Sequence, residues 1–140
     1  MGERVDRFCK DLRGRLSAVE EHLESIKQRL STSSQESRAA VEAKVEEAKS
    51  KLEAQRQKVE KAKVDAKAHI DQKKTETKSK IDEWKANREQ HKLEKRADRS
   101  EDYAAACIII AADSVAEAEL ATLEAIDARL LAEESAADRS

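Results

Sequence analysis

A chain of 140 residues with 41% charged side chains, no Pro and two Gly excludes a sheet-rich fold and reads as one domain of long helices. One Phe, one Tyr and one Trp leave Leu, Ile, Val and Ala to build narrow apolar seams rather than a thick globular centre. The net charge of -2 hides a segregation: Lys plus Arg against Asp plus Glu is 7 against 7 over residues 1–37, 19 against 13 over 38–99, and 2 against 10 over 101–140. A basic helix beside an acidic one in the same fold explains that split without nucleic acid or an anionic membrane.

Helix 1 is expected over about 3–30. Val5, Cys9, Leu12, Leu16, Val19, Leu23, Ile26 and Leu30 alternate spacings of four and three without an error, which is a coiled-coil seam. Phe8 flanks the stripe, and Gly14 lies off it on the exposed side. The cluster Ser31-Thr32-Ser33-Ser34 closes the helix, and Ser33 with Glu36 has capping-box spacing for the next one.

Helix 2 is expected over about 34–99, because no Pro, Gly or polar cluster forces a stop. One continuous helix of that length would run about 99 Å. Cells beginning at Arg56, Lys67 and Lys78 repeat every eleven residues, with Val59, Ile70 and Ile81 in the same place in each. That period keeps an apolar stripe nearly straight along a helix and argues against a hairpin within 56–88.

Helix 3 is expected over about 100–136, with Ser100 as N-cap and Glu101 and Asp102 in the first turn. Ala104, Cys107, Ala111, Ser114, Ala118, Ala121, Ala125, Ala128, Ala132 and Ser135 form a seam of small side chains at spacings of three and four. A second helix can approach such a seam more closely than the usual 8–10 Å. Ile109, Ala116, Leu120, Leu123 and Leu130 lie opposite, flanked by Ile108, Ala112, Val115 and Ile126. A helix with two faces to bury sits between neighbours, so a homo-oligomer is expected, most simply a two-fold dimer.

The expected fold is all-α, a single elongated helical domain over 1–140 of long antiparallel helical hairpins in a coiled-coil bundle, with three helices and the middle one very long. Folding back from positions 31 and 101 would let two hairpins share that helix. The alternative is a four-helix bundle in which helix 2 breaks near 66–77.

Chemistry is thin. The residues three before His22, His69 and His91 are Val19, Ala66 and Arg88, so the Glu-x-x-His pairs of di-iron bundles are missing. His91 and Glu94 sit among Lys92, Lys95 and Arg96, a solvated face rather than a metal site. Glu119 falls between Val115 and Leu123 and is expected to border the stripe and reach solvent. Cys9 and Cys107 are expected as small buried side chains, too far apart for an intrachain disulfide. There is no phosphate-binding Gly loop and no nucleophile beside a base. No catalytic, cofactor-binding or metal residue is assigned, no cofactor is expected, and the chain reads as a non-enzyme.

The longest apolar run, Tyr103 to Ala112, is about half of what spans a bilayer. No charged-then-apolar leader is seen, and Asp6 breaks the Met1-Gly2 myristoylation pattern, so a reduced cytoplasmic protein is expected. The Lys residues of helix 2 alternate with Glu and Asp, and Trp84 is its one aromatic, which argues against nucleic-acid binding.

Two functions follow. The first is a non-catalytic structural or adaptor protein, a self-associating scaffold joined through the small seam of helix 3. The second rests on the Lys/Glu-rich cells of 56–88, 33 of the 140 residues, which resemble those of late-embryogenesis-abundant proteins, exchangeable apolipoproteins and phasins. That resemblance implies an amphipathic coat on a lipid, granule or client surface.

Overall fold

The computed structural model describes residues 2–33 and 35–139. Met1 of the myristoylation pattern and Ser34, the expected start of helix 2, lie outside the described residues. Among the described residues all regular structure is helical: α1 (Glu3–Ser33), α2 (Arg38–Lys73), α3 (Lys78–Ala86) and α4 (Gln90–Asp138).

The expected helix over 34–99 is therefore corrected to three pieces, and the expected start at Ser100 is corrected to Gln90. Hydroxyl chemistry makes the first break. Thr75 Oγ1 donates to the Gln72 carbonyl at 2.7 Å, and Thr77 becomes the N-cap of α3, accepting from the Lys80 amide at 3.2 Å. Threonine side chains that bond the local backbone compete with the helical ladder. The second break is a Schellman turn: the Glu89 amide donates to the Trp84 carbonyl at 2.9 Å and the Arg88 amide to the Lys85 carbonyl at 3.3 Å. Arg88, at φ 56°, occupies the left-handed position that Gly usually takes. The eleven-residue repeat thus fails as evidence for continuity, because its third cell is the separate helix α3.

The α1–α2 connection differs in the same way. Ser33 ends α1, its hydroxyl donating to the Arg29 carbonyl, and Glu36 pairs with Lys44 instead of closing a capping box. Ser37 caps α2, accepting from the Ala40 amide at 3.2 Å.

The chain divides into two compact units. One comprises Met1–Arg13 and Gln57–Ala111. Its core is Ala62 and Ala66 of α2 against Ala106 of α4, with Tyr103, Ile109 and Ile110 packed around them. Small residues at the contact let the two backbones lie close. The rings of His69 and Tyr103 stack at 4.4 Å and 11° beside this core. Arg99 of α4 pairs with Glu76, which precedes α3, and Arg4 of α1 lies 3.4 Å from Asp98. Pairing of 69 with 103 and of 62 and 66 with 106 makes α2 and α4 antiparallel here. This replaces the expected hairpin between residues 34–99 and 100–136.

The other unit comprises Gly14–Arg56 and Ala112–Ser140. Val45 and Ala48 of α2 pack on Leu123 and Leu120 of α4. Val41 is fully buried. Arg38 reaches Glu134 at 3.2 Å and Asp127 at 3.9 Å, so a basic residue of α2 meets acidic residues of α4. These pairs also run antiparallel, and α1 lies along α4 in the same direction.

Candidate self-association faces

In the unit built from residues 14–56 and 112–140, a polar cluster joins α1 to α4. The Glu119 side chain is 6% exposed; its Oε2 lies 2.9 Å from His22 Nε2 and its Oε1 3.4 Å from Arg29. A carboxylate taken out of water needs such partners. The expectation that Glu119 reaches solvent is thus corrected: α1 covers it. The sequence carried a usable signal, since Arg15, His22 and Arg29 recur every seven residues beside the seam. A recurrent basic row beside an apolar one points to a buried acid on the neighbouring helix. Arg29 also lies toward α2. It helps hold the Glu47 carboxyl below the usual carboxylate range, after the larger effects of the Lys51 hydrogen bond and charge.

Because α1 turns this basic row inward, its seam is displaced from the centre of the contact. Val19 and Ile26 are half-buried, whereas Leu16, Leu23 and Leu30 remain 50, 46 and 48% exposed. Leu30 borders a small cleft with Ile26, Ser33, Thr122 and Ile126. In the unit built from 1–13 and 57–111, Leu12 is half-buried and Val5 and Cys9 are exposed. No member of the expected helix 1 seam is fully buried.

On α4 the core takes Ala106, Glu119 and Leu123, with Ile109, Ala112, Ala116, Leu120, Ile126 and Leu130 half-buried on the same side. The row of small side chains faces outward. Ala104 is half-buried and Cys107 and Ala111 are exposed in the first unit; Ser114, Ala118, Ala121, Ala125, Ala128, Ala132 and Ser135 are exposed in the second. Both cysteines are free thiols and both are exposed, which corrects the expectation of buried ones. Hydrogen bonding to Cys107, then the negative charge of its thiolate, then burial raise the Tyr103 phenol above the usual tyrosine range.

Among the described residues no group of three or more His, Cys, Asp or Glu side chains is placed to hold a metal ion. No helix among them is long and apolar enough to cross a membrane. The chain matches no protein-family model, no curated protein and no solved structure.

Proposed function

We propose that this protein is a non-catalytic helical scaffold that associates with copies of itself through helix faces its own fold leaves open. One observation carries the reading: α4 fills the core with one side and turns its small-residue row, from Cys107 through Ser135, to solvent. A helix surface without bulky side chains admits a second helix at short range, gaining many weak dispersion contacts at once.

Sedimentation velocity over a range of protein concentrations tests it. The scaffold sediments as more than one copy, and replacing Ala121 and Ala125 by Arg together weakens that association while helicity is unchanged. A single copy at high micromolar concentration overturns the reading. Helicity that rises strongly only when anionic vesicles are added favours the surface-coat alternative.

A further inference from the structure

From the exposed leucines of α1 we infer a second self-contact, an antiparallel two-fold pairing of α1 with α1 of another copy, centred on Leu23; it rests on the self-association reading above. Leu16, Leu23 and Leu30 recur every seven residues and form an apolar line of about 21 Å on one side of the helix. The fold itself leaves each of them about half uncovered.

Charge selects both the occupant and its direction. Glu20 and Lys27 follow Leu16 and Leu23 by four residues, so they flank the leucine line on its open side, and both are exposed. Reversing a second α1 about Leu23 sets Leu16 against Leu30 of the other copy and Leu23 against its own equivalent. The same reversal brings Glu20 opposite Lys27 on both sides of the axis. The face is its own electrostatic complement, the condition a two-fold contact requires. Lys27 already lies 3.8 Å from Glu24 within its own helix, an exposed pair that yields readily to a better-placed partner.

A parallel pairing matches only in part, setting Glu20 against Arg15 of the other copy but Lys27 against the same basic row. The positions flanking the line on its other side include His22 and Arg29, both directed at Glu119. In the parallel arrangement Lys27 would meet His22 of the other copy, whose imidazole is engaged in the core.

Single cysteines placed in the full chain, with Cys9→Ser and Cys107→Ser, distinguish the arrangements when diamide is supplied to oxidise paired thiols. Leu23→Cys chains cross-link with one another. Leu16→Cys or Leu30→Cys chains alone do not, but a mixture of the two does. The charge arm uses Glu20→Lys, which raises the dimer dissociation constant about tenfold at low salt, and Lys27→Glu added to it restores the original value.

Cross-linking of Leu16→Cys chains with one another overturns the antiparallel arrangement. Failure of every α1 cysteine to cross-link in chains that still sediment as oligomers overturns this face and leaves the scaffold reading standing. Single copies throughout overturn both.

Discussion

His22 Nε2 stands 2.9 Å from Glu119 Oε2, joining residues 97 apart in the chain across the α1–α4 contact. Arg29 approaches the other carboxylate oxygen at 3.4 Å. The carboxylate is nearly enclosed, while its two partners keep a route to water, at 34 and 25% side-chain exposure.

That asymmetry makes the two ends of the cluster respond differently. Arg29→Ala strands a buried charge on His22 alone and costs roughly 3 kcal/mol. Glu119→Leu removes the buried charge, lets His22 and Arg29 turn outward, and stays within about 1 kcal/mol of the parent. Urea midpoints of the two variants, at equal protein concentration, check the order. Equal losses would mean that the buried carboxylate is not the costly member.

Arg88 holds the left-handed position of the turn between α3 and α4. A side chain with a Cβ is strained there by about 1 kcal/mol, so Arg88→Gly holds or raises stability and Arg88→Ile lowers it. Thermal unfolding of both variants gives the comparison. A loss in Arg88→Gly as large as that in Arg88→Ile would assign the effect to the arginine side chain.

Gly14 lies within α1, and a Cβ built on it meets nothing within 4 Å. Gly14→Ala therefore gains only helix propensity, about 1 kcal/mol, with no change in packing. Denaturant unfolding should show a higher midpoint at unchanged slope.

Tyr103 is the one tyrosine, so its phenolate absorbance reports a single group. Hydrogen bonding to Cys107, followed by the negative charge of the thiolate and by burial, raises its titration above the usual tyrosine range. The folded state holds the proton more tightly than the unfolded state. The resulting stability is complete below the usual range and is lost as pH rises through the higher folded value. Cys107→Ala brings the midpoint back toward the usual range, and an unmoved midpoint would exclude the thiol as the cause.

Val41 is fully buried. Val41→Ala removes two buried methyl groups and costs about 2 kcal/mol, including the space left behind. A smaller loss would mean that the start of α2 closes over the gap.

Helicity and the course of α1 were legible in the residues alone, whereas both faces of α4 read as faces to bury and the pattern did not choose between them. The first two follow from period and propensity, which act over a few residues. The ends of the middle segment were less legible, because Thr75, Thr77 and Arg88 are neither Gly nor Pro, and their stop signals are local bonds that other helices also tolerate. The rotation of each helix about its axis is set by packing between helices. The α1 seam has apolar residues enough to sit squarely in a contact, yet the cost of an unpaired Glu119 turns His22 and Arg29 inward and leaves Leu16, Leu23 and Leu30 half open. Apolar burial tolerates a turn of some tens of degrees, whereas a buried charge does not tolerate the loss of its partners.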